Sequence, residues 1–321
     1  MKIKLFSLLA LIIASSNVNG QTLSKTQITD ITSHIGNLIM SNHVVKKDRQ
    51  QIVDLFNFKI KSGKYYAIND PDNFAKTVSA DLREISNDGH LYIEYSGNAS
   101  RTSDNNKLWE KEELKREKLL NYGFREVQIL ENNIGYIKIV EFMHPKRSMQ
   151  TAIATMKLVE NTSALIVDLR GNGGGYPGIM EYILSHYFEG EPILLSTTYF
   201  SDKTKNPVTT YSSDLIYGKL RVNNPLYILI DKKTASASEY FAYVLQAHKK
   251  AKIVGENSAG GANRNTYFSL PENFRISIST TVPIIEITKS NWEHKGVAPD
   301  YIVKSEDAKA KAIDLINTND L

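Results

Sequence analysis

Leu226-Tyr-Ile-Leu-Ile-Asp-Lys-Lys-Thr-Ala-Ser-Ala-Ser-Glu-Tyr-Phe-Ala-Tyr-Val-Leu245 decides how this chain is read. Its first five residues are an unbroken apolar run, the pattern of a strand covered on both faces. Asp231-Lys-Lys233 ends the run. From Ala237 onward Tyr240, Phe241, Val244 and Leu245 fall at helical spacing, so Ser236 stands where a helix begins. There the unpaired N–H groups and the positive end of the helix dipole favour a developing oxyanion, with the Ala237 N–H as one donor. A second reading stands beside this one. Ser236-Ala-Ser-Glu239 also spells a capping box, in which the serine closes the helix start and has no chemistry.

A second apolar strand, Ala164-Leu-Ile-Val-Asp-Leu169, runs into Arg170-Gly-Asn-Gly-Gly-Gly175 and a helix through Ile179, Ile183 and Leu184. Strand, helix, strand, helix predicts an α/β core. The glycine loop is a poor dinucleotide fingerprint, because its third glycine falls on Tyr176, and it lacks the lysine of a phosphate loop. Glycine also lets backbone N–H groups approach a substrate, which makes Gly173 and Gly174 candidate oxyanion donors; a plain tight turn is the alternative. Before this unit, residues 126–130 and 134–142 predict a hairpin and residues 148–160 a helix. After it come a strand at 194–200, a polar stretch at 201–224 that gives no clear element, strands at 252–255 and 275–280 around a bend at Gly260-Gly261, and a final helix.

The N-terminal third reads as helices. Ile28, Ile31, Ile35, Leu38 and Ile39 make one stripe, Ile52, Val53, Leu55 and Phe56 begin another, and a third helix opens at Asp70-Pro71 with proline at its first position. Asn87-Asp-Gly89 ends the third helix, with Gly89 suited to the left-handed residue, and Leu91, Ile93 and Tyr95 alternate as a strand. His90 sits in the joint. Residues 97–106 read as a loop and 109–120 as a charged surface helix.

Composition bounds the function. The 321 residues, 41% hydrophobic and 23% charged, are ordinary for a globular chain. Met1-Lys-Ile-Lys4, an apolar core at 5–14 and small polar residues to Gly20 predict a secretory signal peptide over residues 1–20, and hence an exported protein, periplasmic or extracellular. With no cysteine, the chain offers no thiolate nucleophile, disulfide, cysteine-zinc site or lipidated cysteine. Losing Lys2 and Lys4 takes the net charge from +4 to about +2, too even for a nucleic-acid partner recognised by charge. No integral membrane segment is expected after signal cleavage, and no cofactor or metal.

A nucleophilic serine needs a base, and there are seven histidines. His34 and His43 lie in the helical region, His186 near a helix end and His248 beside Lys249-Lys250; His144 and His294 are reserves. His90 differs by standing in a helix-to-strand joint, where connecting segments present function.

Ile134-Gly-Tyr-Ile137, Leu165 to Gly175, Thr234-Ala-Ser-Ala-Ser-Glu239, Ile253-Val-Gly-Glu256 and Gly296-Val-Ala-Pro-Asp300 together resemble the tail-specific protease superfamily, peptidase family S41. That group includes carboxy-terminal processing proteases, the tricorn core and interphotoreceptor retinoid-binding protein modules. The resemblance implies a crotonase-like (ClpP/crotonase-type) α/β core over residues 98–321, an N-terminal helical subdomain over 21–97, and no PDZ domain. It implies Ser236, not Ser238, as nucleophile. The lysine base of the processing proteases would fall on Gly261, in a segment, 254–262, that has no lysine. The tricorn-like branch uses instead a histidine from the N-terminal region and a late glutamate, which match His90 and Glu293. In that branch a serine precedes the histidine, whereas here the residue is Gly89. The implied set is Ser236, His90 and Glu293, with Ala237 and Gly173 or Gly174 as the oxyanion hole. The implied activity is an exported serine peptidase acting on a peptide or protein substrate. The rival readings are a non-catalytic module binding a hydrophobic ligand or peptide, as in the retinoid-binding relatives, and an esterase using the same residues.

Overall fold

The apolar runs at 164–168 and 226–230 lie side by side as parallel strands in the computed structural model, which describes residues 22–97 and 103–318, with backbone alone at 103–109. The expected signal peptide lies outside the described residues. In chain order, α1 (Lys25–Asn42), α2 (Arg49–Lys61) and α3 (Pro71–Ser86) lead to β1 (Tyr92–Tyr95) and α4 (Ser103–Leu119). There follow β2 (Phe124–Leu130), β3 (Ile134–Ile139), α5 (Pro145–Leu158), β4 (Ala164–Asp168), α6 (Pro177–Ser185), β5 (Leu194–Phe200) and β6 (Val208–Tyr211). The chain continues through β7 (Leu226–Ile230), α7 (Ala237–Ala247), β8 (Lys252–Gly255), β9 (Arg264–Ser269), β10 (Phe274–Ile285), β11 (Tyr301–Ile302) and α8 (Ala308–Asn317).

One sheet has the order β11-β8-β7-β4-β3-β2, parallel throughout except where β2 turns back on β3. Its central strands β4 and β7 are buried at every position because both faces are covered. Leu165, Val167, Ile228 and Ile230 pack with Ile183, Phe241 and Leu245 of α6 and α7, while the alternate residues Ile166, Tyr227 and Leu229 pack with Ala308, Ala312 and Leu315 of α8. A period of two within an unbroken apolar run is what a sandwiched strand requires.

The other sheet is antiparallel, ordered β1-β10-β5-β6, with β9 also on β10. Ile28, Ile31, Ile35, Phe56, Phe74, Val78 and Leu82 of the N-terminal helices form one apolar cluster with Ile93 of β1 and Phe274, Ile276 and Ile278 of β10. Phe74 meets Phe274 edge-on at 5.6 Å. The helices thus close around a strand from the far end of the chain. Among the described residues, no helix is long and apolar enough to cross a membrane.

Several local expectations change. The left-handed residue after α3 is Asn87 (φ 52°), not Gly89; asparagine tolerates this conformation, and the chain needs only one such residue to turn. α5 begins at Pro145, capped by the His144 Nδ1, which accepts the Lys146 N–H at 3.2 Å. Helix α4 starts at Ser103, inside the expected loop. Strands β6 and β9 carry mostly exposed side chains, so no apolar run announced them.

The joint that carries His90 is anchored through Ser79 of α3, whose Oγ accepts the Ile93 N–H at 3.0 Å and donates to the Ile93 carbonyl at 2.9 Å. Ser79→Ala leaves two buried backbone groups unpaired and is expected to cost about 1–3 kcal/mol. In urea this appears as a lower midpoint with an unchanged slope; an unchanged midpoint would show that β1 is held by other means.

Candidate active site

The turn between β7 and α7 is locked before it reaches Ser236. Asp231 Oδ1 accepts the N–H groups of Lys233 (2.9 Å), Thr234 (3.0 Å) and Gly171 (3.0 Å), and the buried Thr234 hydroxyl donates to the Leu169 carbonyl at 2.9 Å. Ala235 N–H donates to the Asn172 carbonyl at 3.0 Å. The loops at the carboxyl ends of β4 and β7 are therefore one unit, in the place where open α/β sheets bind ligands. Ser236 follows with φ 55° and ψ −120°. For a residue with a Cβ such a conformation costs about 1–3 kcal/mol and persists only where its surroundings over-determine it. The capping box forms, and its firm half is the Ser236 N–H donating to Glu239 Oε2 at 2.8 Å. The Ser236 hydroxyl makes no cap hydrogen bond of normal geometry.

The glycine loop presses against this elbow. A Cβ on Gly174 (φ 107°) would lie 2.8 Å from the Ser236 Cβ and 2.9 Å from the Ala237 nitrogen. On Gly175 (φ 125°) it would meet the Phe142 carbonyl oxygen at 2.1 Å. The Gly174 N–H is already taken by Asn172 Oδ1 at 2.8 Å, and Gly173 does not line the cavity beside Ser236. Ala237 and Gly175 do line it, and their N–H groups make no hydrogen bond among the described residues.

That cavity, of ≈ 280 Å³, brings together His90 and Ser236, with Met180, Tyr240, Pro283 and Trp292 as apolar wall and Asn263 and Arg264 among its polar lining. Asp88 and Ser277 fix the His90 backbone. Asp88 Oδ1 accepts the His90 N–H at 2.8 Å, and the Ser277 hydroxyl donates to the His90 carbonyl at 2.5 Å. His90 Nδ1 lies 3.6 Å from the same Asp88 oxygen, an ion-pair distance slightly longer than a hydrogen bond. Asp88 is 2% exposed, and its Oδ2 accepts from Nε2 of the buried His43 at 3.2 Å. Burial alone would raise the Asp88 carboxyl, but His43 and His90 hold it well below the usual carboxylate range. Burial alone would depress the His90 imidazole; Asp88, then the charges of Glu293 and Glu239, outweigh this and hold it above its ordinary value. A Cβ on Gly261 would lie 3.1 Å from His90 Cε1, so the imidazole occupies the space beside the position where a lysine base was sought.

Glu293 directs one carboxylate oxygen to the backbone at 262–263. Its Oε2 accepts the N–H groups of Ala262 (2.6 Å) and Asn263 (2.8 Å), and it makes no hydrogen bond with His90. That oxygen is occupied by the backbone that leads into β9, and Oε1 lies 3.9 Å from His294 Nδ1. Burial, with the charge of Asp88 adding to it, raises the Glu293 carboxyl. Sequence reasoning passed over Asp88 and His43. Asp88 had a signal, since an aspartate two residues before His90 can accept its N–H in an Asx turn. His43 had none, because its partner is distant in the chain.

Fold and site define a mixed α/β protein with a serine at a strained strand-to-helix elbow and a histidine in the same cavity, a layout capable of acyl transfer. A family profile described as peptidase family S41 matches residues 133–303, and one described as the N-terminal domain of peptidase S41 in eukaryotic IRBP matches residues 22–126. The chain belongs to peptidase family S41. It is 29% identical over 181 residues to a carboxy-terminal-processing protease of Bartonella bacilliformis, covering 54% of this chain and 40% of that one. It is 29% identical over 185 residues to the carboxy-terminal processing protease CtpB of Bacillus subtilis, covering 57% and 36%. The chain thus spans about two fifths of the length of these curated relatives. In fold it is similar to a crystallised candidate peptidase from Parabacteroides merdae (TM-score 0.63, 20% identity, 90% of this chain and 96% of that one). It is also similar to the tricorn protease (TM-score 0.56, 13% identity, 91% and 36%).

Gly174→Ala tests the contact between loop and elbow. The added methyl has only the backbone of residues 235–237 and the Ser236 Cβ to meet, so Ser236 must shift. Labelling of Ser236 by a fluorophosphonate is expected to slow by about 100-fold or more, as ångström-scale misplacement at a reacting atom does, in protein whose circular dichroism is unchanged.

Proposed function

We propose that this chain is an exported serine peptidase with a crotonase-like core, cleaving peptide bonds in protein or peptide substrates. The observation that carries the reading is Ser236 held at φ 55° on the elbow, in one cavity with His90. A binding module gains nothing from a serine kept in a sparsely populated conformation, whereas a nucleophile gains an exposed hydroxyl at a helix N-terminus. The carboxy-terminal processing proteases among the relatives support peptide bonds over esters as the substrate class.

The Ser236 Oγ attacks the scissile carbonyl carbon while His90 Nε2 takes its proton. The carbonyl oxygen, now negative, is received by the Ala237 and Gly175 N–H groups at the positive end of α7. As the C–N bond breaks, His90 returns the proton to the leaving amine. Water then repeats the sequence on the acyl-enzyme, releasing the new carboxyl end and free Ser236. Glu293 acts on His90 through its charge, which favours the imidazolium, and it holds the 262–263 backbone at the cavity edge. The apolar wall of Met180, Tyr240 and Trp292 is suited to an apolar side chain next to the cleaved bond.

Hydrolysis of a diverse peptide library by the protein lacking residues 1–20 tests the reading. Ser236→Ala and His90→Ala are each expected to lower kcat/KM on the order of 10⁴-fold. Equal cleavage by Ser236→Ala sinks the proposal, and cleavage of aryl esters but of no peptide moves the protein to the esterases.

A further inference from the structure

Behind His90 lies a buried pair that the proposed reaction does not yet use. Asp88 and His43 are 2% and 3% exposed, and nothing in ordinary packing calls for a carboxylate and an imidazole there. The carboxylate accepts twice from the two histidines, at Oδ1 from the His90 backbone (2.8 Å) and at Oδ2 from His43 Nε2 (3.2 Å). An ionised carboxylate only accepts, so the His43 Nε2 carries the proton in that bond. The His43 Nδ1 is buried without a hydrogen-bond partner, as is the His90 Nδ1. His43 therefore has one ring nitrogen committed to Asp88, and the unpartnered Nδ1 of His90 faces Asp88 Oδ1 at 3.6 Å.

Resting on the serine-peptidase reading above, we propose that Asp88 is the carboxylate that orients His90 and stabilises its protonated form, and that His43 is a positioning residue that fixes Asp88. Ser236, His90, Asp88 and His43 then form one line from the cavity into the N-terminal helices. Glu293 makes no hydrogen bond with His90: its Oε2 accepts from two backbone N–H groups, and its Oε1 lies 3.9 Å from His294 Nδ1. When His90 receives the Ser236 proton, its Nδ1–H becomes a charge-assisted donor 3.6 Å from Asp88 Oδ1 and needs only a small ring shift to close. Asp88 cannot move away, since its second oxygen is held from behind. His43 is itself fixed at the end of α1, where its N–H bonds the Ile39 carbonyl and its carbonyl accepts from Arg49 Nε at 2.6 Å.

The charged groups facing His90 are Asp88 on its own segment, Glu239 from α7 and Glu293 from the segment after β10; Arg264 of β9 lines the same cavity. Removing the charge of Asp88 therefore removes the nearest support for the imidazolium. Asp88→Asn is expected to lower kcat by roughly 10³–10⁴-fold, the scale seen when a buried triad carboxylate loses its charge. It is also expected to move the acid limb of the kcat/KM profile to lower pH. His43→Phe keeps the bulk and removes the donor; it is expected to lower kcat about tenfold with little change in KM, the lower end for loss of an outer hydrogen-bonding partner. His43→Gln, whose amide nitrogen can take the place of Nε2, restores most of that loss. Glu293→Gln is expected to cost less in kcat than Asp88→Asn. The proposal is overturned if Asp88→Asn keeps wild-type kcat and acid limb, or if His43→Gln is as impaired as His43→Phe. Should Asp88→Asn not fold, the two His43 variants decide. The labelling rate of Ser236 by a fluorophosphonate against pH is measured alongside. Wild type that neither cleaves nor labels overturns the serine-peptidase reading itself, and this inference with it. Labelling that needs Ser236 and His90 but ignores Asp88 overturns this inference alone.

Discussion

One buried carboxylate, Glu239, holds the site together. It is 0% exposed and accepts four hydrogen bonds: at Oε2 from the N–H groups of Ser236 (2.8 Å) and Gly261 (3.0 Å), and at Oε1 from the Ser258 hydroxyl (2.6 Å) and the Gly260 N–H (2.6 Å). A charge so deeply buried is tolerable only when its lone pairs are met in this way. Its position at the third residue of α7 adds the favourable end of the helix dipole. The result is a joint between the elbow that presents Ser236 and the 258–261 segment that runs beside the His90 ring. Ser236 and His90 are thus referenced to the same carboxylate.

The same joint explains how Ser236 remains at a positive φ. The N–H of Ser236 is drawn to Glu239, the loop before it is fixed through Asp231 and Thr234, and Gly174 lies where any side chain would collide with the elbow. Three independent contacts over-determine the conformation, which is the condition under which backbone strain persists. Capping and the presentation of the serine are therefore one arrangement. The capping box stabilises the turn through the glutamate half, and the serine half leaves its hydroxyl to the cavity.

The parallel sheet was legible because its central strands β4 and β7 are apolar on both faces, a pattern set by sandwiching between α6–α7 and α8. The helices at the N-terminus were legible from their stripes. Strands β6 and β9 were not, because hydrogen bonding to β5 and β10 makes them strands while their side chains face solvent. At the site, Ser236 and His90 could be singled out from local context, a helix start and a helix-to-strand joint. Glu239 was readable only as a cap: Ser258, Gly260 and Gly261 reach it through tertiary folding. The same holds for Glu293, whose chain position matched an expected role and whose Oε2 is held by the backbone at 262–263. Spacing along a chain identifies which residues are available; the competition for each lone pair is settled in three dimensions.

That competition has a further consequence for how the site is assembled. Ser236 belongs to β7 and α7, while His90 is set by β10, whose Ser277 holds its carbonyl and whose pairing with β1 holds the strand that follows it. The two halves meet at Gly261, which leaves 3.1 Å between a would-be Cβ and His90 Cε1. A side chain there would contest the space that the imidazole fills, so the lack of a lysine at 261 and the presence of a histidine at 90 are two sides of one packing solution. Because β10 also carries the apolar face on which α1, α2 and α3 close, the strand that holds the His90 carbonyl is the one the N-terminal helices pack against. The parallel sheet alone supplies the elbow and its serine; the imidazole beside it comes with the antiparallel sheet, through β1 and β10.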